Sequence, residues 1–208
     1  VDAWFGVNDP QAVVDAVLES HVDADATVRR LSTPSHYAYL KVSEGCNRQC
    51  AFCAIPLIRG KHVSRPVEEI LKEAAKLVDE GVKELILVAQ DLTYYGMDLY
   101  GRREIAELVR RLCRIDGLHW VRLQYLYPHA FPQDLLEVMR EEPKVCRYVD
   151  IPLQHIDSRI LKSMARSTTK EQTLSLLADF RQALPDAAFR TTLITGFPGE
   201  DAAAFEDL

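Results

Sequence analysis

The chain holds 208 residues, 48% of them hydrophobic, enough for a sizeable core organised mainly as one domain. Its formal net charge of −6 argues against a general electrostatic grip on nucleic acid, and its five cysteines, an odd number with three clustered, argue against a secreted disulfide framework. The longest apolar runs, such as "LILVA" at residues 85–89, are far too short to span a membrane, so a soluble, cytoplasmic protein with no membrane partner is expected.

The opening "VDAWFGVNDPQAVVDAVLESH" has no initiator Met, and the close "EDAAAFEDL" reads as a helix just begun, which together predict a fragment. Residues 1–30 stand apart: one helix from Pro10 to about Leu18, then the polar "DADATVRRLSTPSH", whose turn formers read as a linker. The main domain is expected over residues 31–208. It starts at "YAYLKVS" and alternates short apolar strands with amphipathic helices, the mark of βα units on a parallel sheet.

The first helix of that series is predicted to begin at Pro66, with Glu68 and Glu69 at the positive end of its dipole and a stripe of Val67, Ile70, Leu71, Ala74, Ala75 and Val78. Gly81 ends it, and "ELILVA" follows as a strand buried on both faces. A second helix carries Ile105, Leu108, Val109, Leu112 and Cys113, and Gly117 closes it before the strand "HWVRLQYL". A helix around "PQDLLEVMR", the strand "RYVDIPL", helical segments from Asp157 to about Ala183 and the strand "AFRTTLI" complete five strands and about four crossovers. A doubly wound sheet and a (β/α) barrel both fit this rhythm. The barrel is favoured, because alternation puts Arg122 with Gln124, and Arg190 with Thr192, on one strand face, as an enclosed polar lumen requires.

The spacing Cys46-x3-Cys50-x2-Cys53 places three thiols on the loop after the first strand, at the face where barrel enzymes do their chemistry. Gly45 eases the entry turn, and the polar Asn47 and Gln49 let the loop curl. Three ligands leave a structural zinc site incomplete unless a distant residue joins them, and a redox pair would leave a bystander thiol. A [4Fe-4S] cluster uses the incompleteness: three irons take Cys46, Cys50 and Cys53, and the fourth stays open. Phe52, the aromatic inside the motif, is a candidate to shield the cluster or stack on an adenine.

"CNRQCAFC" resembles the CxxxCxxC motif of radical S-adenosylmethionine enzymes, and "SEGCNRQCAFCAIPLIRGKHVSRP" is similar to their methylthiotransferase branch. The resemblance runs from about Tyr37 to the end. It implies a partial barrel of that type, truncated before its last strand, with residues 1–30 as the remnant of a preceding domain. It also implies S-adenosylmethionine chelated at the open iron, cleavage of its carbon–sulfur bond by an electron from the cluster, and hydrogen abstraction by the resulting 5′-deoxyadenosyl radical. "AQDLTYYG", "VRLQYLYP" and "YVDIPLQH" resemble the RimO-type branch, which acts on an aspartate of the twelfth small-subunit ribosomal protein, rather than the branch that modifies tRNA adenosine. A second [4Fe-4S] cluster is implied only for a full-length protein, as is a reductant such as flavodoxin or ferredoxin. A zinc-bearing interaction module without catalysis is the rival of a different class.

Other candidates follow from position. Gln90 with Asp91 ends the second strand, and Gln154 with His155 the fourth, where cofactor contacts lie in barrels. Arg190 is placed to pair with a cofactor carboxylate if its strand face looks inward, and otherwise forms a structural ion pair. Cys113 and Cys146 read as small core residues. "TGFPGE", residues 195–200, permits close approach to a ligand, and Arg59, Lys61, His62 and Arg65 form a basic run that is either a solvated loop or a contact for an acidic segment.

Overall fold

The computed structural model describes residues 4–6, 10–18 and 29–208. Much of the expected linker and most of the separate segment at 1–30 lie outside the described residues, although the expected first helix is present as α1 (Pro10–Leu18). The main domain opens with β1 (Tyr37–Lys41), a short hairpin of β2 (Ser43–Glu44) and β3 (Val63–Ser64), and α2 (Ile55–Arg59) between the hairpin strands. The βα rhythm then runs α3 (Val67–Asp79), β4 (Glu84–Val88), α4 (Ile105–Cys113), β5 (Trp120–Leu123), α5 (Gln133–Glu141) and β6 (Tyr148–Asp150). Two helices, α6 (Ser158–Ser163) and α7 (Lys170–Ala183), precede β7 (Ala188–Arg190), and α8 (Ala202–Asp207) follows.

Strand order decides between the two architectures. β4 pairs in parallel with β1 on one side and β5 on the other, and β6 pairs in parallel with β7. β5 continues toward β6 through a parallel bridge of Val121 and Val145, and the Leu126 N–H donates to the Asp150 carbonyl at 2.9 Å. The long strands therefore stand in chain order, β1-β4-β5-β6-β7. A doubly wound sheet reverses that order at a switch point; a partial (β/α) barrel does not.

Period-two alternation sorts the residues. Ala38, Leu40, Leu85, Leu87, Val121, Leu123 and Val149 are buried under the helices, against Ile70, Leu77, Leu108, Leu112, Val138 and Met139. The other face carries Tyr39, Arg122, Tyr148 and Arg190, and its charges are paired: Arg122 with Glu84 at 2.6 Å and Arg190 with Asp150 at 2.8 Å. That is the polar lumen the alternation predicts.

Four local differences from the sequence reading have physical causes. Pro66 is the residue flanking α3, with ψ 141, and the buried stripe takes Leu77 and Glu73 while Leu71 and Ala75 are only half-buried. A carboxylate survives at that depth because Arg65 and Arg29 reach Glu73 at 2.8 and 3.2 Å. The helical stretch after Asp157 breaks in two around Ala165, which adopts φ 52, and Thr169 restarts α7 with a reciprocal capping box to Gln172. The expected strand "AFRTTLI" stops at Arg190, where the Thr191 hydroxyl donates to the Ile151 carbonyl and accepts from the Leu153 N–H, replacing ladder bonds with side-chain bonds.

The β2–β3 hairpin closes the base of the cysteine loop, residues 45–62. Gly45 sits at that closure with φ 73, and a Cβ there would lie 2.1 Å from the Lys61 carbonyl oxygen. Gly45→Ala is therefore expected to destabilise the chain by more than about 1 kcal/mol, seen as a lowered Tm. An unchanged Tm would mean that the loop base shifts without cost.

Candidate functional site

The cysteine loop is fastened along its length. The Cys46 N–H donates to the Gly60 carbonyl at 3.1 Å, Asn47 Oδ1 accepts the His62 N–H at 3.0 Å, and the Ala51 N–H reaches the Met164 carbonyl at the end of α6 at 2.9 Å. A turn from the Cys50 carbonyl to the Cys53 N–H, 3.0 Å, brings the last two thiols round. So held, Cys46, Cys50 and Cys53 all border one cavity of about 440 Å³. Its other walls are the C-terminal ends of the strands: Lys41 at the end of β1, Val88 to Gln90 at the end of β4, Tyr125 to Tyr127 after β5, and Pro152 with Gln154 after β6.

None of the three thiols is in a disulfide. Burial pushes the Cys46 thiol up, against the pull of the Arg48 N–H that points at its sulfur from 3.4 Å, and the nearby Asp91 and Cys50 push it the same way as burial. A bound metal is the kind of charge that reverses this and holds the thiolate. Among the described residues, no three His, Cys, Asp or Glu side chains converge closely enough to hold a single metal ion. The three thiols share the lining of one cavity.

The cavity also gathers unsatisfied polar atoms. Ser43 Oγ, Arg48 Nη2, Gln90 Oε1 and Arg166 Nε are buried without a hydrogen-bond partner, and all four residues line it; among the described residues only His62 and Thr168 show the same elsewhere. Each such atom costs about 1–3 kcal/mol when left unpaired. Their concentration in one cavity is the mark of a site shaped for a polar ligand. Two wall residues, Tyr125 and Gln154, adopt the left-handed conformation with φ 61 and 74, which side-chain-bearing residues seldom take outside functional sites. The structure holds Gln154 there by main-chain bonds to Thr192 and Ile194, 2.9 and 2.7 Å.

Of the expected cofactor contacts, Phe52, Gln90 and Gln154 border the cavity. Phe52 is 40% exposed at its mouth, and the Gln90 amide is oriented by donation to Glu44 at 2.8 Å. Arg190 does not line the cavity: its guanidinium is engaged by Asp150, the ion pair named as its alternative role. Asp91 stands behind the wall and holds Arg48 at 2.9 Å. His155 is buried nearby, accepts the Asp157 N–H at Nδ1, and faces Glu200 at 3.4 Å; Glu200 in turn accepts the Phe197 N–H of the "TGFPGE" turn. The basic run is largely engaged within the fold, with Arg59 near Glu44, Arg65 on Glu73 and His62 on Ser64. Cys113 is buried, its thiol pushed up to about 11 by burial, as a core residue would be.

Among the wall residues not singled out from sequence are Arg48, Tyr127 and Arg166. Arg48 lies between two of the cysteines and Tyr127 within "YLYP", so both had a local signal. Arg166 had none, because it reaches the cavity only through the break between α6 and α7, where its N–H bonds back to Leu161 at 2.9 Å.

Comparison with known proteins fits this geometry. The Radical SAM superfamily matches residues 40–208. Ribosomal protein uS12 methylthiotransferase RimO from Flavobacterium psychrophilum is 54% identical over all 208 residues, which cover 48% of that protein. Its counterpart from Christiangramia forsetii is 52% identical over the same residues, 46% of its length. The chain thus spans about half the length of the curated relatives it matches. Among solved structures, the radical S-adenosylmethionine methyltransferase TsrM from Kitasatospora setae superposes with a TM-score of 0.67 at 17% identity, covering 86% of this chain and 36% of that one, a likeness of fold. The family match begins within β1 and takes in the cysteine loop and every later strand that walls the cavity: the chain belongs to the radical SAM superfamily.

Proposed function

We propose that this chain is the catalytic core of a radical S-adenosylmethionine methylthiotransferase that adds a methylthio group to the β-carbon of an aspartate in the ribosomal protein uS12. In this reading residues 31–208 form the barrel and 1–30 the remnant of a preceding domain. The observation that carries it is that three cysteines of one loop line a single cavity that also collects four unsatisfied buried polar atoms. The substrate follows the relatives named uS12 methylthiotransferase, about 50% identical across the whole chain. A tRNA adenosine substrate has no such support.

The donor set fits a [4Fe-4S] cluster. Thiolates are its usual ligands and three of them leave one iron open, whereas a structural zinc site needs four ligands and, among the described residues, no group of His, Cys, Asp or Glu is arranged to hold a single metal ion. When bound, the cluster and S-adenosylmethionine would supply the one-electron cleavage that generates a hydrogen-abstracting radical. The chain's own residues supply the rest. Cys46, Cys50 and Cys53 hold the metal; Ser43, Gln90 and Arg166 offer unpaired polar atoms to a polar cofactor; Phe52 closes the mouth; Ile55, Ala89 and Leu126 make the wall apolar and limit water. Gln154 presents its side chain from a fixed left-handed backbone. A second cluster, a flavodoxin- or ferredoxin-type reductant and a cytoplasmic location complete the proposal for the full-length protein, with no direct nucleic-acid contact from this chain.

Two measurements test it. After anaerobic reconstitution and reduction with dithionite, the chain is expected to cleave S-adenosylmethionine to 5′-deoxyadenosine, and Cys46→Ala, Cys50→Ala or Cys53→Ala to abolish that cleavage. Cleavage at the parent rate by any of the three variants would overturn the ligand assignment. With the full-length enzyme, mass spectrometry should find a methylthio increment on the aspartate peptide of uS12; an increment found only on tRNA nucleosides would replace the protein substrate.

A further inference from the structure

Tyr127 occupies an unusual place in the cavity wall. The guanidinium carbon of Arg48 lies over its ring, 4.1 Å from the centroid, and that of Arg166 lies over the same ring at 4.3 Å. At those distances both cations stack on the ring faces, the geometry in which the ring quadrupole attracts them. Arg48 has a countercharge in Asp91 at 2.9 Å. Arg166 has none among the described residues: its hydrogen bonds go to the Pro152 carbonyl at 2.5 Å and to the Cys50 sulfur at 3.8 Å. Both keep one buried N–H donor atom unpaired, Arg48 Nη2 and Arg166 Nε, and both line the cavity beside the cysteines. Arg48 also lies over the Tyr94 ring, but farther off, at 5.6 Å; the Tyr127 ring, 6% exposed, is the contact that the two like charges share.

We propose that Tyr127 is a positioning residue for reduction of the cluster: its ring holds Arg48 and Arg166 beside the cysteines, where their charges stabilise the negative charge that the site gains with an electron. The inference rests on the reading that Cys46, Cys50 and Cys53 hold a [4Fe-4S] cluster. One electron passes to the cluster from a one-electron donor, dithionite in the test. No bond forms or breaks and no proton moves, so the whole added charge must be met by fixed cations and by hydrogen bonds to the sulfurs, the features that set cluster potentials. Tyr127 makes two contacts here, its ring to the two guanidinium groups and its hydroxyl to the Cys50 thiol; the effect is assigned to the ring, and Tyr127→Phe separates the two.

The test is an EPR-monitored redox titration of the reconstituted 208-residue chain, with iron and sulfide measured in every sample. Tyr127→Phe keeps the ring and is expected to hold the parent midpoint. Tyr127→Leu removes the platform and should make reduction about tenfold less favourable, a midpoint lower by about 59 mV for a one-electron couple. Arg166→Gln, which leaves the ring in place, should shift the midpoint in the same direction. A cluster-bearing Tyr127→Leu at the parent midpoint would overturn the proposal, and so would Tyr127→Phe shifting as far as Tyr127→Leu, which would assign the effect to the hydroxyl. If Tyr127→Leu takes up no iron, Arg166→Gln decides, and an unshifted midpoint there overturns the proposal. A parent chain that takes up no iron would instead overturn the cluster reading beneath it.

Discussion

The cavity depends on how the chain closes the excursion between β1 and α3. Residues 45–62 leave the end of the first strand, carry three cysteines, and must return to start a helix on the outer face. A ladder of only two residue pairs, Ser43 with Ser64 and Glu44 with Val63, shuts that loop at its base. The closure is tight because Gly45 packs its backbone directly on the Lys61 carbonyl. Side-chain bonds then lock the return: Ser64 donates its N–H and its hydroxyl to Asp98, at 2.8 and 2.6 Å, and accepts the Gly96 N–H at 3.0 Å. Those bonds also hold Asp98 below the usual carboxylate range, although its burial works against this. Without the closure the thiols have no reason to face one space.

A second layer of charge fixes the walls relative to the sheet. Asp91 at the end of β4 holds Arg48 of the cysteine loop, Glu44 takes the Gln90 amide, and Asp150 on β6 takes Arg190. The first two contacts tie cavity-side segments to the end of β4, the third ties β6 to β7, and each is largely shielded on its acidic side. Removing one partner from such a pair leaves a buried charge unanswered, which costs far more than the pair itself contributes. Rigid walls of this kind let polar atoms such as Arg48 Nη2 and Ser43 Oγ stay buried and unpaired, ready for a ligand.

Much of this was legible in the sequence, and the reasons are local. Three thiols spaced for one loop announce shared chemistry, period-two alternation in "VRLQY" announces a polar lumen, and the stripe of α4 reads directly as buried Ile105, Leu108, Val109 and Leu112. What escaped depends on distance in space. Glu73 is absent from the stripe read for its helix because its burial depends on Arg29 and Arg65 closing on it, and Arg166 comes to the cysteines through a helix break that its own neighbourhood does not signal. The left-handed backbones of Tyr125 and Gln154 are held by partners distant in sequence, Asp150 on β6 for the first and Thr192 and Ile194 beyond β7 for the second. Arg190 lay on the expected strand face, but only the tertiary structure shows Asp150 taking its charge.

In the proposed function three cysteines suffice because the cavity, and not a fourth protein ligand, completes the metal site. Anaerobic reconstitution followed by metal and sulfide analysis tests it most directly. The account predicts about four iron and four sulfide per chain, with the broad absorbance of a [4Fe-4S] cluster. Zinc at about one per chain, with no sulfide and no cluster absorbance, would contradict it.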